Sequence, residues 1–481
     1  MWSRLGVLTV LLVMLSSMSV NAAKPNVLFI LADDQRPDSI GAYGNEHIKT
    51  PNIDSLIHNG FSFRRNYCMG SQHGAVCQPS RAMMMSGQAY FRIPMDLKGV
   101  TTFPEHLRTN GYSTFVTGKW HNNAPAILRS FENGKNIMMG GMSNHIAVPL
   151  QDISKEGTLI NKRTGEEFSS KLFADAAIEF IKQQNSVQPF MAYVCMTSPH
   201  DPRQPSLEYR QPYYDAKLPL PENFMPQHPF DNDTLIIRDE NLAAWPREPE
   251  IVRDQLAEYY GLITHMDDQI GLIITTLKEK GFYENTVIVY AADHGLAVGS
   301  HGLLGKQSLY EHSMGAPLAF VGPGIPKGQS STALSYLLDI FPTVCDAIDL
   351  PLDLELDGKS LKPIWQNRVD TVRDKVFLSY KDNQRALVQD RWKLIRYSKI
   401  NHTQLFDLKN DPHELNNLAK NADHTLLKLS LMTQLKEQQK QYGDKAKLEV
   451  STPKPFYKDL TGTERKPDRH QPKWIVKKYF D

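Results

Sequence analysis

Cysteine is scarce in this chain: four residues, Cys68, Cys77, Cys195 and Cys345, in a length of 481. That is too few for a disulfide framework in an exported protein. Net charge is nearly absent too, at +1, with 54 Lys and Arg against 53 Asp and Glu. A balance this close excludes a general nucleic-acid-binding or membrane-surface role, although a local basic pocket for an anionic substrate stays open. After the first two dozen residues no apolar run is long enough to read as transmembrane. There is no internal repeat and no low-complexity tract. The length is enough for one large core and a smaller one.

The apolar run near the start has its own reading. Met1–Arg4 carries one positive charge, Leu5–Leu15 is almost continuously apolar, and Ser16–Ala23 is small and polar. This is the pattern of a secretory signal peptide, residues 1–23, cleaved near Ala22 or Ala23. The run is short for a membrane span, and no cysteine near the cleavage site suggests a lipoprotein. An exported protein, periplasmic or secreted and without stable membrane insertion, is expected.

Four unbroken apolar runs follow: Asn26–Leu31, Tyr112–Thr117, Phe190–Met196 and Thr286–Ala292. Runs without alternation predict strands buried on both faces, as in a parallel sheet covered by helices. Each run leads at once into chemistry. They are followed by Asp33-Asp34, by Lys119-Trp120-His121, by His200, and by Asp293-His294. Ligands of open α/β sheets sit outside the carboxyl ends of the strands, so the four ends predict one pocket. Amphipathic helices are predicted over 168–184 and 253–280. Strand and helix alternate, which gives an α/β class. Two long loops, Asn122–Asn161 and Asp201–Glu250, follow His121 and His200 and are expected to wall the pocket. From about Val376 the runs become short and hairpin-spaced, with a helix over 426–442. A C-terminal subdomain, 371–481, is therefore expected after a catalytic domain, 24–370.

Cys77-Gln78-Pro79-Ser80-Arg81 leads into Ala82-Met83-Met84-Met85-Ser86-Gly87, one or two helical turns closed by glycine. A cysteine at a helix start is an activated position, because unpaired N–H groups there favour an anion. Asp33, Asp34 and Asp293 are three carboxylates at the ends of two strands. Clustered carboxylates repel unless a cation sits among them. An oxygen-rich set suits calcium first and magnesium second.

C-x-P-S-R resembles the signature of the type I sulfatases, in the alkaline-phosphatase superfamily. Ile30–Asp34, Thr50–Asp54, Gly118–His121, Pro199-His200, Asp293–Gly295 and Gly305-Lys306 match the family in order and spacing. The resemblance implies a large, mostly parallel central sheet flanked by helices, with a small antiparallel C-terminal subdomain. It implies that Cys77 is oxidised to formylglycine by a formylglycine-generating or sulfatase-maturating enzyme; a Cys68–Cys77 disulfide would consume that site. It also implies one calcium ion held by Asp33, Asp34, Asp293, His294 and residue 77, although many relatives carry Asn where His294 stands.

By the same resemblance, one hydroxyl of hydrated formylglycine attacks sulfur. Arg81 and Lys119 stabilise the charge, Lys306 and His200 serve the bridging oxygen, and His121 takes the second hydroxyl's proton so that sulfate is expelled. The expected activity is hydrolysis of sulfate esters on a carbohydrate, with similarity to bacterial polysaccharide sulfatases. A phosphomonoesterase or phosphonate hydrolase on the same fold is the alternative enzyme, and a carbohydrate-binding protein with a dead site is the non-enzyme one. His73, Arg36 and Arg92 flank the motifs and are open as substrate contacts. Gly315 stands where many relatives carry an arginine.

Overall fold

The computed structural model describes residues 24–460 together with Lys473, Val476 and Lys477. The expected signal peptide lies outside the described residues. Fifteen strands are numbered in chain order: β1 (Asn26–Ala32), β2 (Phe61–Tyr67), β3 (Gly70–Ser71), β4 (Ser113–Lys119), β5 (Asn133–Met138), β6 (Pro149–Ile153), β7 (Leu159–Thr164), β8 (Phe190–Cys195), β9 (Thr286–Ala292), β10 (Leu318–Val321), β11 (Gln329–Tyr336), β12 (Lys375–Tyr380), β13 (Gln384–Gln389), β14 (Trp392–Tyr397) and β15 (His402–Asp407).

Ten of them form one sheet in the order β11-β2-β10-β9-β1-β8-β4-β5-β6-β7. The four predicted strands are neighbours, β9-β1-β8-β4, and all run parallel. Their side chains alternate between the two faces, as a strand requires. Val27, Phe29 and Leu31 join a core that includes Met83, Met84 and Met85 of the Cys77–Ser86 helix. Leu28, Ile30 and Ala32 join a second core with residues of helices Pro51–His58, Ser169–Gln183 and Pro249–Glu279. Full burial on both faces accounts for the absence of charged residues in these runs. Burying each large aliphatic side chain contributes about 1.5–3 kcal/mol.

The first expected loop is corrected. Residues 122–161 hold the helix Ala124–Ser130, β5, β6 and the start of β7. β5 reads Asn-Gly-Lys-Asn-Ile-Met, a polar segment of weak strand preference, and pairing with β4 overrides that preference. The second segment, 201–250, keeps its irregular character apart from the helix Leu207–Asp215 and a 3-10 stretch at Arg238–Leu242.

β12 to β15 form an antiparallel sheet, covered by the helix Thr425–Tyr442 through Leu431 and Leu435. β3 adds to its edge, pairing in parallel with β12. Since β3 lies just ahead of Cys77, this pairing brings the β12–β13 turn to the rim of the site. All four cysteines are buried and free. Among the described residues no helix is long and apolar enough to cross a membrane.

Candidate active site

The four parallel strands end together. Asp33 N–H donates to the Ser198 carbonyl at 3.0 Å, Met196 N–H to Leu31 at 2.8 Å, and Asp293 N–H to Ala32 at 3.2 Å. Just beyond these ties the backbone leaves ordinary conformations. Asp34 and His121 have φ of 68° and 59°, in the left-handed region that few non-glycine residues adopt. Gly118, two residues before Trp120, needs its missing side chain: φ is 89°, and a Cβ there would stand 1.8 Å from the Cys195 carbonyl oxygen.

Cys77 opens its helix, and nine residues of that helix are buried. The helix closes on Gly87, whose N–H reaches the Met83 carbonyl at 2.8 Å. Around the Cys77 Sγ stand Lys306 Nζ at 3.2 Å, His294 Nε2 at 3.2 Å and Asp34 Oδ1 at 3.6 Å. Burial pushes the Cys77 thiol up, but Lys119 and Lys306 outweigh it and the net direction is down. Burial likewise opposes charge on Lys306, yet Asp34, Cys77 and Asp239 hold its ammonium well above the ordinary lysine range.

Three carboxylates face three cations here. Arg81 lies 3.4 Å from Asp33 and 3.2 Å from Asp293, and donates to the Lys119 carbonyl at 2.8 Å. Lys119 Nζ is 2.6 Å from Asp33, and Lys306 Nζ is 2.8 and 2.7 Å from the two Asp34 oxygens. All of these side chains are buried. Removing one partner of such a pair leaves an uncompensated buried charge, at a cost of about 3–5 kcal/mol.

The acidic side of the cluster fits a cation. Asp34, Cys77, Asp293 and His294 each present one donor atom, all within 4.8 Å of one another. Asp33 Oδ1 is buried without a hydrogen-bond partner. His294 Nδ1 lies 2.8 Å from the Gly295 carbonyl, which can only accept, so Nδ1 carries a proton and Nε2 is the atom turned toward the carboxylates. With no cation among them, burial opposes charge on His294 but Asp293, Cys77 and Asp34 lift it to about 10. Burial also opposes ionisation of Asp293, and His294, Arg81 and Lys119 more than compensate, holding its carboxyl below the ordinary value.

Above this floor opens a cavity of about 340 Å³, lined in part by Cys77, His121, His200 and Lys306. Burial, with Lys119 and Arg81 adding, pulls His121 down to about 3. Burial and Lys306 take His200 well below the ordinary histidine value. Both rings are therefore neutral at neutral pH. His200 Nδ1 stands 2.6 Å from the Asp201 carbonyl, which leaves Nε2 toward Asp34, 3.8 Å away.

Each residue singled out from the sequence at this site lies in this one cluster. The open candidates do not. Arg36 pairs with Asp38 and donates to the Ala297 carbonyl; Arg92 is half-exposed against Asp357; neither they nor His73 line the cavity. Gly315 has no space for a side chain, since a Cβ would meet the Glu311 carbonyl oxygen at 2.7 Å. Sequence reasoning missed Gly141, Met142, Ile237, Arg238, Asp239, Gln307, Tyr380 and Lys381 on the cavity wall. Gly141 and Met142 fall in the first, and Ile237, Arg238 and Asp239 in the second, of the two segments expected to wall the pocket, and Gln307 stands beside Lys306. Tyr380 and Lys381, from the second sheet, carried no signal.

Residues 25–350 match the family Sulfatase, and residues 299–441 match N-sulphoglucosamine sulphohydrolase, C-terminal. An N-acetylglucosamine-6-O-sulfatase of Bacteroides thetaiotaomicron is 26% identical over 500 residues, spanning 88% of this chain and 87% of its own. Of solved structures, one protein in complex with its substrate D-glucosamine-2-N,6-O-disulfate superposes with a TM-score of 0.73 at 22% identity, over 88% of this chain and 99% of that one. A phosphonate monoester hydrolase of Agrobacterium radiobacter superposes with a TM-score of 0.71 at 23% identity, over 87% and 96%. The last two likenesses are of fold.

Proposed function

Because the chain belongs to the sulfatase family, as a type I sulfatase of the alkaline-phosphatase superfamily and a sulfuric ester hydrolase, we propose that it removes sulfate from a sulfated carbohydrate, using formylglycine at position 77 and one calcium ion. The observation that carries this reading is the convergence of Arg81, Lys119 and Lys306 with Asp33, Asp34, Asp293 and His294 around Cys77, at the floor of one cavity. The Cys77 Sγ stands in for the oxygens that formylglycine would present. That modification would supply a hydroxyl nucleophile and a second hydroxyl to lose a proton. Asp33, Asp34, Asp293 and His294 would hold the calcium ion, which would polarise the sulfate oxygens.

The chain's own residues divide the remaining work. Arg81 and Lys119 set positive charge beside Asp33 and Asp293 on the floor. Lys306 stays protonated beside residue 77 and donates to the departing sugar oxygen, where a negative charge would otherwise develop. His200 sits at the same oxygen. His121, neutral with a buried and unpartnered Nδ1, accepts the proton in the second half of the cycle. A cavity of about 340 Å³ suits one sugar ring. The names of the relatives, with glucosamine sulfates among their substrates, support a carbohydrate.

Export through the N-terminal segment, maturation by a formylglycine-generating or sulfatase-maturating enzyme, and a division into residues 24–370 and 371–481 belong to the same reading. The fold likeness to a phosphonate hydrolase sets the comparison to run. Purified enzyme is given sulfated hexoses and hexosamines beside phosphate monoesters and phosphonate monoesters. The reading requires kcat/KM to be highest for a sugar sulfate; higher turnover of phosphonate esters would replace it.

A further inference from the structure

Three cations line the cavity: Lys306, Arg238 and Lys381. Two are taken by carboxylates. Lys306 faces Asp34 at 2.7 Å, and Arg238 pairs with Asp201 and, at 2.7 Å, with Asp239. Lys381 has no carboxylate partner among the described residues. The adjacent Asp382 is engaged by Lys399 at 3.1 Å. The Lys381 ammonium stands 5.6 Å from the centroid of the Tyr380 ring, itself part of the cavity wall.

The backbone holds Lys381 in place by several independent ties. Its φ is 45°, in the left-handed region. Its N–H donates to the Ser71 carbonyl at 2.7 Å, and its own carbonyl accepts from Arg385 at 2.8 Å. Arg385 is fixed in turn by Asp444, at 2.6 and 2.9 Å. Ser71 belongs to β3, whose pairing with β12 docks the second sheet beside Cys77. The fold thus carries one uncompensated positive charge, on a rigid turn, to the wall of a pocket whose floor receives an anion.

We propose that Lys381 recognises a second anionic group, a sulfate or a carboxylate, on the sugar that carries the sulfate to be cleaved. The proposal rests on the sugar-sulfatase reading above. The floor around residue 77 already carries Arg81, Lys119 and Lys306 for the cleaved sulfate, and Lys381 stands on the wall that the second sheet contributes, so it is assigned to a second group. A charge-assisted contact to an ammonium that has no carboxylate partner favours the doubly anionic sugar over its singly charged counterpart.

The test uses full-length matured enzyme and methyl glycosides of glucosamine, galactosamine and galactose, each as monosulfate and as disulfate, with 2-O-sulfated glucuronate as the carboxylate arm. Wild type is expected to favour the doubly anionic member by roughly tenfold in kcat/KM. In Lys381→Met that ratio collapses toward one, and in Lys381→Arg most of it returns. Calorimetry on Cys77→Ala chains, with and without Lys381→Met, is expected to give the same ratios in Kd without turnover. A preference confined to disulfates identifies sulfate as the second group, and one confined to the uronate identifies carboxylate. A wild-type enzyme without preference, or a Met variant that keeps the wild-type ratio, overturns the role of Lys381 alone. Failure to release sulfate from every sugar in the panel overturns the parent reading, and the Lys381 proposal with it.

Discussion

Gly141→Ala tests how closely the His121 ring is positioned. A Cβ on Gly141 would stand 2.3 Å from His121 Nε2, 2.6 Å from Cε1 and 3.0 Å from Cδ2. Ordinary contact begins at 3.4 Å, so 3.4 − 2.3 = 1.1 Å is the retreat demanded of the ring. The obstructing atoms are the end of a side chain, so the fold can yield: the stability loss stays within about 1 kcal/mol, as for a change without a core cavity or buried charge. Catalysis has less room. A misplacement of about 1 Å can cost on the order of 10²-fold in rate. With His121 proposed to act in the second half of the cycle, the first release of alcohol is expected to be spared. Rapid-quench measurements on Gly141→Ala are expected to show alcohol outrunning inorganic sulfate by one enzyme equivalent, followed by steady turnover about 10²-fold below wild type. Wild-type turnover with an unchanged melting curve would refute the positioning of the ring. Equal loss in the first and later turnovers would refute the timing assigned to His121.

Asp293→Ala removes a carboxylate that both Arg81 and the proposed cation need, so calcium affinity by titration calorimetry and activity fall together; chelation inactivates wild type and calcium restores it. Calcium binding should also displace the proton that the carboxylates hold on His294, raised to about 10, so proton release in a pH-stat accompanies binding. His200→Ala is expected to slow the first cleavage, by a larger factor for sugar sulfates than for an activated aryl sulfate, as rates on both substrates would reveal. His228, fully buried with Nε2 unpartnered, is pulled down to about 3 by burial. Its contribution to stability is complete above the unfolded value near 6.5 and is lost as pH falls toward 3, at about 1.4 kcal/mol per pH unit. Denaturant titrations of wild type and His228→Leu at several acid pH values would show the shallower slope in the variant.

The centre of this molecule was legible because burial on both faces leaves a plain signature. Asn26–Leu31, Phe190–Met196 and Thr286–Ala292 tolerate almost nothing polar until the strand ends, and there Asp33, His200 and Asp293 begin. Adjacent parallel strands then had to bring those residues together. The rim was legible only as two long segments, 122–161 and 201–250, and not residue by residue, since its residues obey no period. β5 is polar and Asn-rich and becomes a strand only through its neighbour β4. Gly141 matters for the atom it lacks. Tyr380 and Lys381 reach the cavity through the pairing of β3 with β12, two residues of strand that no local pattern announces. Arg36 and Arg92 stood close to the motifs in sequence, yet their guanidinium groups are taken by Asp38 and Asp357, away from the cavity.

The central claim is that turnover depends on an aldehyde at position 77. The most direct measurement digests enzyme preparations of graded maturation, determines the aldehyde fraction of the peptide carrying residue 77 by mass spectrometry, and compares it with the rate of sulfate release from a sugar sulfate. Activity is expected to rise in proportion to that fraction and to vanish in Cys77→Ala. Full activity in a preparation whose residue 77 is an intact cysteine thiol would contradict the account.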